Sequence, residues 1–320
     1  MTILILQLRR LGDVLMTTPM LRAIRVALPD VVVHVCVEPS SAPAVRHNPC
    51  ADEVVIADPG AYVNLLRRLR RARYDVVLDT IGTPATARLA FFSSAPIRIG
   101  RARRWRTAFY THAIPPDAQP TYSATSKLAL LEPLGIRSDD CRIELFPTEE
   151  ERRSAAQYWA SLGRSDDARV VAFSPVSRRP GTAWPPERFA EVCDRWAERA
   201  GLRFLPVHAP GEEAQVERVI GALRRRDAVI WPGPRLAFGA LVPLARRCAF
   251  FFGNDNGARH AAVAAGIPTA AVFGPDDPAY GTPPDEPRHV HVGGRRPIES
   301  VAVGEADAMI ARVVAESGLG

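Results

Sequence analysis

The sequence lacks the marks of several protein classes. Its five cysteines, Cys36, Cys50, Cys141, Cys193 and Cys248, stand singly, with no C-x-x-C pair. That argues against a disulfide framework and a structural zinc site, and it fits a reducing compartment. No apolar run approaches the ~20 residues that span a bilayer. The opening MTILILQLRRLGDVL has no basic stretch ahead of its apolar run, so it reads as the start of a fold and not as a secretory leader. A cytoplasmic protein is the expectation. No motif that would place positive charge in a nucleic-acid groove is present, and no nucleic-acid partner is expected. The G-x-G-x-x-G phosphate turn is also missing. The first strand-turn-helix reads L-R-R-L-G-D instead, which disfavours a nicotinamide dehydrogenase.

What is present is the mix of a globular protein, 47% hydrophobic and 24% charged over 320 residues. That length suits two domains of about 150 residues each. The net charge is +6 and arginine carries nearly all the positive charge. Its planar fork matches phosphate and carboxylate oxygens. Two clusters stand out: Arg67, Arg68, Arg70, Arg71 and Arg73, then Arg98, Arg101, Arg103, Arg104 and Arg106. They fit solvated helix faces, an anionic substrate or an anionic membrane surface.

Short runs of Ile, Val and Leu at 3–8, 31–37, 54–56 and 76–78 alternate with helix-like segments such as 14–28. Runs that are apolar throughout predict parallel strands buried on both faces. A proline-rich stretch follows, and Thr148 with Glu151 predicts a capping box at a domain junction. The alternation then restarts, with strands expected at 170–173, 204–207, 229–231, 250–252 and 269–273. Helices are expected at 186–199, 212–225, 236–246 and 258–265. The fold class is therefore α/β, with two doubly wound domains, 1–150 and 151–320. Ligands are expected in a cleft at the carboxyl ends of their sheets.

Four segments carry chemistry. In the first, Gly12 permits a turn and Asp13 stands at a helix start, as an N-cap or as a general base. In the second, Asp255, Asn256, Gly257 and His260 lie at a strand-to-helix turn. The amides of the first helical turn suit a diphosphate there, although an ordinary capped Asn-Gly turn has the same pattern. In the third, Ser177, Arg178, Arg179 and Thr182 lie on a loop that can offer hydroxyls and guanidinium groups to phosphate. The plainer reading of that loop is an exposed one with a half-buried Trp184. The fourth, Phe273 to Pro278, is a turn carrying Asp276 and Asp277.

Taken in order, these segments resemble the heptosyltransferases of glycosyltransferase family 9. Gly12-Asp13-Val14 followed by Thr17, Thr18 and Pro19 is similar to the family's G-D-V/I turn and T-x-P helix. Asp255 to His260 is similar to D-T-G-x-x-H, Ala262 to Pro268 to A-x-x-A-G-x-P, and Phe273 to Pro278 to F-G-P-T-D-P. Trp184 to Phe189 matches W-P-x-E-R-F. The resemblance implies a GT-B fold of two Rossmann-like domains facing each other across a cleft, without a bound metal or cofactor. It implies an acceptor-binding domain over 1–150 and a nucleotide-sugar-binding domain over 151–320, whose last helix packs back on the first. Asp13 would be the base of an inverting displacement. ADP-heptose would be the donor, against Ser177, Arg178, Arg179, Thr182, Asp255, Asn256, Gly257 and His260. The acceptor would be the anionic inner core of lipopolysaccharide, a glycan or glycolipid at the inner membrane, met by Arg9, Arg10, Arg101 and Arg104. Peripheral association with the cytoplasmic face follows from such an acceptor. Two positions depart from the family pattern: Thr182 stands where a lysine is common, and Asn256 where threonine is. The alternatives are a divergent GT-B transferase with another donor or acceptor, and a non-catalytic nucleotide- or glycan-binding relative.

Overall fold

The computed structural model describes residues 1–163, 169–209, 211–231 and 236–319. The chain forms two compact units, Met1–Phe146 and Pro147–Gly320. In the first unit the strands are β1 (Thr2–Gln7), β2 (Val32–Val37), β3 (Glu53–Ile56), β4 (Val76–Asp79), β5 (Ile97–Arg101) and β6 (His112–Ile114). They form one sheet in the order β3-β2-β1-β4-β5-β6, with every neighbouring pair parallel. Residues Ile3, Leu4, Ile5 and Leu6 are fully buried, as a strand covered on both faces requires. The short strands β5 and β6 escape sequence patterning because arginine and histidine interrupt their apolar positions.

The helices of this unit are α1 (Leu11–Leu15), α2 (Thr18–Ala27), α3 (Tyr62–Ala72), α4 (Pro84–Phe92) and α5 (Ser123–Leu128). The single helix expected over 14–28 is thus two. Pro19 has no amide to donate to the carbonyl of Leu15. That carbonyl accepts instead from Thr18 Oγ1 at 2.8 Å, which closes α1 and starts α2.

In the second unit β7 (Val170–Ser174), β8 (Arg203–Pro206), β9 (Phe251–Asn254), β10 (Thr269–Phe273) and β11 (His289–Gly293) form a parallel sheet ordered β11-β10-β9-β7-β8. Its helices are α6 (Glu149–Ser161), α7 (Pro186–Ala200), α8 (Glu213–Ala222), α9 (Leu241–Ala245), α10 (Gly257–Ala265) and α11 (Val303–Glu316). The capping box of α6 is present. Thr148 Oγ1 accepts from the Glu151 amide at 3.1 Å, and Glu151 Oε2 accepts from the Thr148 amide at 2.8 Å. The strand expected at 229–231 is only an isolated bridge between Val229 and Phe204. Pro206, two residues on in β8, has no N–H to carry that ladder further. The last helix, α11, is held in the second unit's core by Ala306, Met309, Ile310, Val313 and Val314.

Both sheets reverse their strand order beside their first strand, at β1/β4 and at β7/β9. In open α/β sheets the crevice outside the carboxyl ends at that reversal is where ligands bind. β1 leads directly into α1, whose first turn carries Asp13. The loop after β7 carries the Ser177–Thr182 segment, and β9 leads through Asp255 and Asn256 into the first turn of α10 with Gly257 and His260.

Candidate active site

In the first unit Asp13 is not a helix cap. Arg10 occupies the N-cap of α1, no side chain among the described residues caps it, and Asp13 lies within the first turn. Asp13 is half-buried, and Arg9 and Arg10 beside it are exposed. The backbone under the turn is braced by Thr17, whose Oγ1 donates to the Asp13 carbonyl at 3.1 Å and accepts from Gln7 Nε2 at 3.4 Å. Gln7 ends β1 and is buried, and its Oε1 has no hydrogen-bond partner among the described residues.

Lys127, on α5, is a residue that motif reasoning passed over. It is the only lysine in the chain and is 6% exposed. Its one hydrogen bond among the described residues is a long one, 3.5 Å to the Ser123 carbonyl. Burial depresses its pKa to about 8; the carboxylate of Asp13 opposes that fall and Arg9 adds to it. The ammonium group therefore lies near enough to Asp13 and Arg9 to feel both charges. The signal for it was compositional, one lysine in a chain that otherwise uses arginine. Arg101 is tied down nearby. It forms an ion pair with Asp117 at 2.7 Å and donates to the Ser126 carbonyl and hydroxyl at 2.6 and 2.9 Å. Arg104 is exposed, in a short 3-10 turn at Arg104–Phe109.

In the second unit the turn after β9 is built around Asn256. It is the N-cap of α10, and its Oδ1 accepts from the amides of Ala258 at 3.0 Å and Arg259 at 3.1 Å. Its Nδ2 donates to Ser174 Oγ at 3.0 Å and to the Val176 carbonyl at 2.9 Å, tying α10 to the end of β7. The threonine usual at this position has no amide nitrogen for that second pair of bonds. Two of the first-turn amides expected to be open to an anion are therefore already satisfied. Gly253 allows β7 and β9 to approach, since a Cβ there would lie 2.2 Å from the Ser174 carbonyl oxygen.

Asp255 accepts from Arg259 Nη1 at 2.9 Å, and His260 Nε2 lies 3.7 Å from the same carboxylate. Arg259 is fully buried, a second feature that spacing did not reveal. It also donates to the Gly281 carbonyl and Thr282 Oγ1, each at 2.9 Å, and lies over the Phe273 ring. It fixes the Asp255 side chain against the turn that follows β10.

On the loop after β7, Ser177 Oγ and Thr182 Oγ1 lie 2.6 Å apart. Trp184 is not half-buried but 1% exposed, with its Nε1 donating to the Val301 carbonyl at 3.0 Å. Both arginines of this loop have acid partners. Arg178 Nε bonds Glu212 at 2.6 Å, and Arg179 pairs with Asp276. Asp277 caps the turn that follows, accepting from Ala279 at 3.1 Å, and pairs with Arg295. The Arg179–Asp276 pair is exposed on both sides, so it contributes little and a phosphate can compete for that guanidinium group, whereas the Glu212 partner of Arg178 is buried. Among the described residues no cluster of three or more His, Cys, Asp or Glu is arranged to hold a metal ion.

The sequence model of glycosyltransferase family 9 (heptosyltransferase) matches residues 62–304. The chain belongs to this family. It is 24% identical over 294 residues to lipopolysaccharide heptosyltransferase 3 of Escherichia coli K12, covering 85% of this chain and 82% of that protein. A glycosyltransferase family 9 structure from Veillonella parvula superposes with a TM-score of 0.83 at 22% identity, over 98% of this chain and 97% of that one. The E. coli ADP-heptose LPS heptosyltransferase II matches with a TM-score of 0.78 at 18% identity, over 99% and 100%. The two α/β units thus have the GT-B fold of the heptosyltransferases, and the family-9 chain is a glycosyltransferase. No helix among the described residues is long and apolar enough to cross a membrane.

Proposed function

We propose that this glycosyltransferase moves a heptose from ADP-heptose to an anionic glycan, the inner core of lipopolysaccharide, with inversion at the anomeric carbon. The observation that carries the reading is the likeness to a named lipopolysaccharide heptosyltransferase over 85% of the chain. The loops at both points of strand reversal support it. In the reaction the acceptor hydroxyl oxygen attacks the anomeric carbon. The carbon–oxygen bond to the diphosphate breaks, and ADP leaves with the electron pair. The hydroxyl proton passes to the carboxylate of Asp13. That carboxylate is suited to the role because, among the described residues, no amide bonds it. The dipole of α10, the Gly257 amide and the guanidinium groups of Arg178 and Arg179 are the groups that would take up charge on the leaving diphosphate. Such an acceptor lies on the inner membrane, so the reading includes peripheral association with its cytoplasmic face.

A second reading, a transferase with another nucleotide-sugar donor, is favoured by one observation: Thr182 replaces the usual lysine, and both neighbouring arginines are paired with acids. Calorimetry with ADP, UDP and GDP separates the two. Selective ADP binding supports the ADP-heptose reading, and selective UDP or GDP binding moves the donor. Turnover with an ADP-heptose donor then tests the base. Asp13→Asn should lose about 10²–10⁴-fold in turnover while ADP affinity holds. Near-full turnover in that variant would remove Asp13 from the mechanism.

A further inference from the structure

The stretch 80–116 contains six arginines, Arg88, Arg98, Arg101, Arg103, Arg104 and Arg106, and no aspartate or glutamate. The same stretch holds three of the most exposed large apolar side chains of the first unit: Phe91 at 41%, Phe92 at 44% and Trp105 at 58%. These are one patch, not scattered exposures. Phe91 lies 5.2 Å from both Phe92 and Phe109, and Trp105 lies 5.6 Å from Phe109, ring centroid to centroid. The patch forms because α4 ends in a Phe-Phe pair and packs against the Arg104–Phe109 turn. Arg98 is stacked over Phe91. Among the described residues none of Arg88, Arg103, Arg104 and Arg106 is in an ion pair, whereas the donor-loop arginines are paired with acids. The neighbouring helix α3 packs beside α4 and exposes Arg67, Arg70 and Arg71.

An aromatic cluster left in water costs free energy, and a one-sign charge field around it repels a second copy of the same surface. Self-association through this patch would bring like charges together. A surface that is negative outside and apolar just beneath satisfies both parts at once, with rings at headgroup depth and arginines on the phosphates. Phe and Trp supply the apolar depth. The arginines supply attraction that falls with ionic strength.

We propose that the Phe91–Phe92–Trp105 patch, ringed by Arg88, Arg98, Arg103, Arg104 and Arg106, is the surface by which this protein docks on an anionic lipid bilayer. The proposal builds on the reading of a membrane-held acceptor and specifies the docking face. Its test uses vesicles without acceptor, so that sugar transfer and docking succeed or fail separately. The full chain is mixed with phosphatidylcholine vesicles, with or without about one-third phosphatidylglycerol, and the bound fraction is measured by sedimentation. Trp105 is the one exposed tryptophan, so its fluorescence reports insertion. Docking predicts binding to the anionic vesicles only, a blue shift absent from Trp105→Phe, and release as salt is raised. Phe92→Ser/Trp105→Ser should weaken partitioning at least tenfold, and Arg103→Ser/Arg104→Ser should do the same, with melting temperature and nucleotide binding kept. Equal binding to neutral and anionic vesicles would overturn the proposal. So would wild-type partitioning by either double variant, or a dimer that dissociates when Phe92 and Trp105 are replaced.

Discussion

Lys127→Met is the most informative single substitution in the first unit, because its effect on stability can be worked from one buried charge. The lysine pKa falls from 10.5 to about 8 in the folded protein. Each pKa unit is worth 1.36 kcal/mol, so below pH 8 the buried ammonium costs folding about 3 kcal/mol. The folded pKa is depressed, so between pH 8 and 10.5 the unfolded chain binds more protons than the folded one. Stability therefore rises with pH across that window, and the cost shrinks to about 1 kcal/mol at pH 10. Methionine keeps the apolar stem and removes the charge. Lys127→Met should then be more stable than wild type by up to about 3 kcal/mol at pH 7, with most of that gain gone at pH 10. Urea unfolding followed by circular dichroism at the two pH values measures the difference directly, and other groups that titrate in the window cancel between the two proteins. A destabilised variant, or a gain that is equal at both pH values, would refute the reasoning. A costly buried cation beside a candidate base is also a functional candidate. The same variant should therefore lose turnover as it gains stability.

Two further substitutions test local arguments. Asn256→Ala removes the cap of α10 and the tie to β7 together, and should cost about 2 kcal/mol; a loss within the error of a urea titration would mean that the tie is not formed. Tyr110→Phe removes the hydroxyl that donates to the buried Asp79 at 2.7 Å, leaving that carboxylate the amides of Ile81 and Gly82 and the Thr86 side chain. Burial raises the Asp79 pKa, so this partner matters. The variant should lose about 1–3 kcal/mol, visible as a lower melting temperature; an unchanged one would show that the remaining partners or water replace the hydroxyl.

Much of the candidate site's geometry in the second unit depends on partners remote in sequence. Asp276 meets Arg179 across 97 positions, and Asn256 meets Ser174 across 82. Nothing in the local spacing of either residue indicates such a partner. The segment 255–260 reads as an open anion turn, yet the Asn256 side chain already holds two of its amides. Similarly, Lys127 has an ordinary helical context, and only the packing of α5 on α2 brings it near Asp13.

By itself the sequence determined the α/β alternation, the capping box at Thr148 and the order of the glycosyltransferase motifs. These rest on local physics: a strand buried on both faces must be apolar throughout, and a helix start needs acceptors for its orphan amides. Only the tertiary structure decided the strand orders β3-β2-β1-β4-β5-β6 and β11-β10-β9-β7-β8, and so which loops stand where the order reverses. It also decided which arginines are neutralised and which stay unpaired beside Phe91, Phe92 and Trp105. Strand order and charge pairing depend on contacts between segments far apart in the chain, and hydrophobic periodicity carries no record of them.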